Sequence, residues 1–386
     1  MINQQKLNAA FSWLIAGAQP AKSVDEIVEE CALRLIEVGV PIDVLILNGL
    51  FIHPHTRGIQ ILWSKNRGRS RETFTHQFMD SNAFHDIETA KCIQTGRMAR
   101  YPVDPATAPT MSEYLRRFEA AGYSELFFMP LFNFDGSVTG AVEVGTRQPG
   151  GFNEDHILAL RRMQAPLARL KENFTENYEK QITLATYVGE KTSRKVLNGN
   201  IILGGGETIS AVLLFADLVG FTQLSNLSDS EKVLKTLNTF FAAIDTAVGR
   251  NNGEILKFLG DGALVIFQTP DDLSAQEAAA SSAIEAVALA RKILAEDEAC
   301  PDVEFRAALH IGDVFFGNIG SGNRLDFTAI GPAVNLASRM LDEASARDAK
   351  TVCSEGFLRV AIGLEAEPVE SDLKGFDQSE TIFLVE

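Results

Sequence analysis

The sequence predicts an α/β protein with two mixed helix-and-sheet domains joined by a helical connector. Three observations carry this reading. The 386-residue chain is longer than a single hydrophobic core ordinarily supports. Helix-period and strand-period apolar patterns alternate in both halves. Charge changes abruptly near residue 200: residues 1–199 balance at 22 acidic and 22 basic side chains, whereas residues 200–386 hold 29 acidic and 13 basic and account for the net −16. The predicted division is 1–165, 166–199 and 200–386.

The acidic second half argues against nucleic-acid binding, which needs clustered Lys and Arg against phosphates. A polyphosphate ligand there would be met locally, by a metal and a few placed cations. The apolar stretch Ala9–Ala18 is far short of the roughly 20 residues of a spanning helix and reads as an amphipathic first helix rather than a signal peptide. Cys31, Cys92, Cys300 and Cys353 are scattered without metal-ligand spacing, so no disulfides and a cytoplasmic location are expected.

Helical patterns cover Gln4–Ala18 and Val24–Val38; strands follow at Asp43–Leu47 and Gly58–Trp63. Leu126 to Thr146 is a hairpin with Asp135-Gly136 at its turn. A helix then starts with Asn153 as N-cap and acidic residues in its first turn. The hairpin ending in "RQPGGFNEDHILAL" before a long exit helix makes residues Gln4 to Ala165 resemble a GAF-type sensor domain. In the connector, Leu167, Phe174, Gln181 and Val188 share one heptad position, and Leu170, Asn177 and Leu184 the other. Two readings stand: a parallel dimer stalk, or a single helix packing on its own domain.

In the second half, Ile209–Ala216 is an apolar strand ending in Asp217 and a turn at Gly220. The next amphipathic helix has Ser228 as its expected N-cap and Glu231 completing a capping box. "EILKFLGDGALVIF", Glu254–Phe267, is a hairpin with Asp261 between two glycines and Lys257 inside an apolar strand. A strand, a helix and a returning hairpin bring Asp217 and Asp261 to one end of a sheet. Two carboxylates with nearby carbonyls suit Mg²⁺ or Mn²⁺, although a strand-end Asp is also ordinary cap or turn chemistry. "FRAALHIGDVFFGNIGSGNRLDFTAIGPAVNLASRM" reads as strand, glycine-rich loop, strand and a helix starting near Pro332, with Asn335 and Arg339 on one helical face.

"FADLVGFT", "LKFLGDG", "GPAVNLASRM" and "DLKGF", in this order across residues 185–386, resemble the class III nucleotidyl cyclases, whose catalytic domain has a ferredoxin-like βαββαβ fold. Thr186–Gly199 resembles the short transducing segment that precedes many such domains. The resemblance implies two Mg²⁺ or Mn²⁺ ions per site on Asp217 and Asp261, and backbone N–H groups of Val219, Gly220, Phe221 and Thr222 on the nucleotide phosphates. It implies that Lys257 and Thr328 read adenine, so that the substrate is ATP. Asn335 would orient the ribose, Arg339 would stabilise the transition state, and Lys374 and Arg306 would lie near the terminal phosphates. Thr328, where many relatives have Asp, goes with a bicarbonate-responsive subset, a response that a bicarbonate titration tests. Pro332 departs from the Asp or Asn frequent in relatives, and "LGGGETI", Leu203–Ile209, is an unusual glycine-rich approach to the first strand.

The family's sites form between two catalytic domains. This chain carries both residue sets, so a homodimer would have two complete sites. The expected function is adenylyl cyclase, ATP to 3′,5′-cyclic AMP and pyrophosphate, gated by a small ligand or signal at the amino-terminal domain. A cyclase of other base specificity, or a non-enzymatic nucleotide-binding regulator, is the alternative. His53 and His55 in "FIHPHT" resemble a metal pair but read better as a polar loop, and Ser64–Glu72, "SKNRGRSRE", as a solvated hairpin or loop.

Overall fold

The computed structural model describes residues 1–104, 111–298, 302–376 and 379–385; Cys300 lies outside them. The chain divides into two compact units, Met1–Thr183 and Leu184–Glu386. No helix among the described residues is long and apolar enough to cross a membrane.

The first unit is built on a six-stranded sheet in the order β3-β2-β1-β6-β5-β4. The strands are β1 (Val44–Leu50), β2 (Thr56–Ser64), β3 (Gly68–Thr75), β4 (Ala99–Pro102), β5 (Glu125–Phe132) and β6 (Val138–Thr146). Against one face pack α1 (Gln4–Ile15), α2 (Val24–Val38) and the first half of α7 (Glu154–Val188), burying Leu14, Leu35, Leu45, Val142, Leu160 and Leu167. The short helices α3 (His76–Met79), α4 (Asn82–His85), α5 (Glu88–Thr95) and α6 (Glu113–Ala120) complete the unit, and the opposite face of the sheet buries Phe128 and Ala141 with Cys92 and Leu115.

Local chemistry explains the element ends. Asn3 accepts the Lys6 amide at 3.0 Å, Ser23 caps α2, and Gly39 closes it at φ 105°. Asn153 accepts the His156 amide at 2.9 Å where α7 begins. At the predicted β5–β6 turn, Gly136 has φ 84° and Asp135 accepts the Ser137 amide at 2.9 Å.

Several expectations change. The first helix stops at Ile15 rather than Ala18, since Gly17 and Ala18 turn at positive φ. Strand β1 continues past Leu47, because Asn48 and Gly49 pair with Ala141 and Gly140 of β6. The Ser64–Glu72 stretch is a hairpin, but not simply a solvated one: Arg69 pairs with Glu29 at 3.1 Å and Arg71 with Asp25, both on α2. Leu167 is buried in the first unit's core, and Leu170 and Phe174 pack against it, so these heptad positions already have partners within their own unit. Cys31 and Cys92, with Cys353 of the second unit, are buried thiols whose pKa is pushed up to about 12 by burial.

The second unit contains α8 (Glu190–Leu197), β7 (Gly206–Leu218), α9 (Phe221–Leu227), α10 (Ser230–Arg250), β8 (Glu254–Leu259), β9 (Gly262–Thr269), α11 (Leu273–Ala295), β10 (Phe305–Ser321), β11 (Arg324–Ile330), α12 (Pro332–Ala346), β12 (Thr351–Ser354), α13 (Glu355–Val360), β13 (Ala366–Ser371) and β14 (Glu380–Val385). Its sheet runs β13-β14-β12-β10-β7-β9-β8, with β11 paired to β10. The succession β7-α10-β8-β9-α11-β10, with each neighbouring pair in the order β10-β7-β9-β8 antiparallel, is the ferredoxin-like βαββαβ arrangement.

Strand β7 reads as a continuous apolar run because both of its faces are covered. Val212, Leu214 and Ala216 meet α10 and α11, while Ala211, Leu213 and Phe215 meet α12. The cap of α10 is Asp229, not Ser228: Asp229 accepts the Lys232 amide at 2.8 Å, and Ser228 instead ends α9. The glycine-rich stretch after Phe305 is not a loop but part of the 17-residue β10. Gly317 is needed there because a Cβ would stand 2.4 Å from the Gly205 carbonyl and 2.5 Å from Gly206 Cα.

Candidate active site

The site is assembled where β7 leaves the sheet. Asp217 stands opposite Gly262 of β9 on one side and Arg306 of β10 on the other. The neighbouring Leu218 amide donates to the Asp261 carbonyl at 3.2 Å, so the β7 end and the β8–β9 tip are joined directly. Each glycine around Asp261 has its own cause. Gly260 turns the chain at φ 70°, and a Cβ on Gly262 would lie 2.9 Å from an Asp217 carboxylate oxygen and 2.8 Å from the Ala216 carbonyl. The Asp-Gly tip therefore also makes room for a second carboxylate.

Burial is the main cause that raises the Asp217 pKa to about 6; the Asp261 charge adds to it, Arg306 opposes it, and Asp342 contributes further. Two adjacent carboxylates held short of charge compensation, with a backbone carbonyl beside them, are a donor set that fits Mg²⁺ or Mn²⁺. Among the described residues no group of three or more His, Cys, Asp or Glu side chains is placed to hold a metal. Such an ion would therefore complete its shell with water and substrate oxygens.

The segment after Asp217 turns at once. The Val219 amide bonds the Glu304 carbonyl at 2.9 Å, Gly220 takes φ 72°, and Phe221 and Thr222 open α9. Val219 and Gly220 are exposed. The Arg306 side chain is mostly buried and pairs with Asp348 at 2.7 Å while facing Asp217 across the ladder.

A second group gathers around Lys257. A β-bulge between Ile255 and Lys257 interrupts the β8–β9 register. The Lys257 ammonium forms an ion pair with Asp326 of β11. Asp326 and Thr328 are two residues apart on one strand and so share a face. Thr328 is buried at 8% exposure, opposite Gly317. On α12, Asn335 is exposed one turn before Arg339, whose guanidinium donates to Asp342 at 3.0 Å. Lys374 is exposed in the turn after β13, and no described contact brings it to either group. Among the described residues, no hydrogen bond or ion pair joins the Asp217–Asp261 group to Thr328, Asn335 or Lys257.

Motif reading missed Asp326, Gly262 and Glu254. Strand periodicity points to Asp326, two positions before Thr328. Glu254 accepts the Thr192 amide at 2.8 Å, tying the segment before β7 to the start of β8. The histidine pair has local work: His53 Nδ1 accepts the His55 amide at 3.1 Å and the Thr56 amide at 3.3 Å.

Residues 207–383 match the family model of the adenylate and guanylate cyclase catalytic domain, so this part of the chain is a class III adenylyl/guanylyl cyclase catalytic domain. An uncharacterized protein of Mycobacterium tuberculosis is 36% identical over 159 residues, 41% of this chain and 28% of the relative. One from Mycobacterium bovis is likewise 36% identical over 159 residues. The chain thus spans little more than a quarter of the length of these curated relatives. Among solved structures, a bacterial light-regulated adenylyl cyclase is 19% identical with a TM-score of 0.48, over 57% of this chain and 64% of that one. The adenylyl cyclase CyaB from P. aeruginosa is 26% identical with a TM-score of 0.40, over 47% and 95%. The guanylyl cyclase Cya2 is 25% identical with a TM-score of 0.41, over 47% and 93%.

Proposed function

We propose that the protein is an adenylyl cyclase that converts ATP to 3′,5′-cyclic AMP and pyrophosphate at the interface of a homodimer. The observation that carries this reading is the junction of Asp217 and Asp261 at the ends of neighbouring strands, with an exposed turn leading straight from Asp217. Asp217 and Asp261 would hold Mg²⁺ or Mn²⁺, which when bound supplies Lewis-acid activation and charge neutralisation for the triphosphate.

The chain's own groups then have distinct tasks. The Val219 amide is already held by the Glu304 carbonyl, so of the turn expected to meet the phosphates it is the backbone of Gly220, Phe221 and Thr222 that offers amides to them. Lys257 donates to adenine N1, an acceptor that guanine replaces with an N–H, and Thr328 accepts from the adenine amino group. Asn335 orients the ribose. The ribose 3′-oxygen attacks the α-phosphorus, the bond from that phosphorus to the β-phosphate oxygen breaks, and pyrophosphate leaves as the hydroxyl proton passes to solvent. Arg339 stabilises the charge that develops on the α-phosphoryl oxygens. In this reading Asp217 and Asp261 of one protomer meet Lys257, Thr328, Asn335 and Arg339 of its partner, residues 1–165 form a GAF-like regulatory domain and residues 166–199 transmit its state.

The test is product formation by the purified full-length protein with Mn²⁺ and ATP, GTP, CTP or UTP, beside Arg339→Ala. Cyclic AMP from ATP alone, reduced about 10²–10³-fold in the variant, is the expected result. Cyclic GMP from GTP would overturn the base assignment, and no product from any of the four would overturn the activity.

A further inference from the structure

The sheet of the first unit carries a site that the cyclase chemistry does not use. Gly49 of β1 and Gly140 of β6 stand directly opposite each other, leaving a trough with no side chains. Lys171 of α7 lies in it, with its Cε 3.4 Å from the Cβ position of each glycine. The side chain is 4% exposed, and its ammonium donates to the Thr139 hydroxyl. Lys171 forms no ion pair among the described residues. The carboxylates whose charges reach it are engaged elsewhere: Glu172 pairs with Arg169, and Glu179 accepts the Ile52 amide at 2.7 Å. A buried ammonium with one neutral partner lacks its counter-charge. Burial accordingly lowers its pKa to about 8.

Beside it opens a cavity of about 240 Å³, walled by Phe51, Ile59, Ile61, Phe174 and Tyr178. Lys22 and Arg71 are the other cations on its lining; Arg71 is held by Asp25, whereas Lys22 is exposed. A dry apolar cavity of about 150 Å³ takes a benzene molecule. The larger space here fits a ring with a short side chain or a medium-length alkyl chain.

We propose that this cavity binds an amphipathic monocarboxylate, its anionic head on the Lys171 ammonium and its apolar body against Phe51, Ile59, Ile61 and Phe174. Lys171 is the buried cation of this lining and already spends one of its donors on Thr139, so the charge left uncompensated matches a single carboxylate.

The test compares octanoate with 1-octanol, the same chain without charge, by isothermal titration calorimetry on the full-length protein. Octanoate is expected to bind about ten- to a hundred-fold more tightly than octanol, the range for a hydrogen bond to a charged partner. Lys171→Met should remove that preference while leaving octanol binding in place. Equal affinity of the wild-type protein for both probes, no octanoate binding at millimolar concentration, or a preference that survives in Lys171→Met would each overturn the assignment. The wild-type comparison decides the matter even if the variant fails to fold, which thermal unfolding of the variant reports.

Discussion

Lys257 and Asp326, 69 residues apart, are joined by an ion pair that lies two positions from Thr328 on the same strand. The lysine proposed to read the base is therefore aimed by a carboxylate of its own chain. Asp326→Asn is expected to lower the ATP-over-GTP ratio of kcat/KM by up to about five-fold, because partly exposed ion pairs contribute about 0.2–1 kcal/mol. The melting temperature should barely move. An unchanged ratio would show that Asp326 does not position Lys257.

Asp217 and Asp261 repel each other in the absence of a cation. Asp217→Asn is therefore expected to abolish product formation yet raise the stability of the metal-free protein at pH 8. The gain is on the order of 1 kcal/mol after discounting for solvent screening of a half-buried group. Thermal unfolding in EDTA, paired with an activity assay in Mn²⁺, separates the two effects. A variant that loses both activity and stability would assign Asp217 a structural role instead.

Glu143 is fully buried in the first unit, where it accepts hydrogen bonds from Asn48, Thr89 at 2.5 Å and Tyr114. Burial is the largest cause raising its pKa to about 7; the hydrogen bonds oppose it and Glu88 adds to it. Between the ordinary glutamate value of 4.5 and about 7 the folded state binds the extra proton, so stability is present below that window and is lost as pH rises through it. Glu143→Gln is expected to flatten this loss, which amounts to about 3 kcal/mol by linkage. Urea unfolding of both proteins between pH 5 and pH 8 measures it. Parallel pH profiles would mean that Glu143 ionises normally.

Gly317 crosses the backbone of Gly205 and Gly206 too closely for any side chain. Gly317→Ala is expected to cost about 1–3 kcal/mol, the range for forcing an extra carbon into a packed site. Gly322→Ala, where a Cβ meets nothing within 4 Å, serves as the control. Equal midpoints of chemical unfolding for the two variants would refute the close-approach account.

The sequence by itself determined the elements whose cause is local. The doubly covered run of β7, the turns at Asp135-Gly136 and Asp261-Gly262, the cap at Asn153 and the proline opening α12 follow from periodicity and from the hydrogen bonds a side chain makes within a few residues. It also made the meeting of Asp217 with Asp261 legible, since a strand, a helix and a hairpin leave few ways to return. Only the tertiary structure decided which partner each exposed or buried group found. Asp326 for Lys257, Arg306 beside Asp217, the glycine crossing at Gly317 and the uncompensated Lys171 over Gly49 and Gly140 all depend on strand register and on helix placement over a sheet. The same holds for Leu167, Leu170 and Phe174, whose apolar spacing suits a two-stranded coil and a helix packed on its own sheet equally well. Apolar periodicity records which side of an element is covered but carries no record of what covers it.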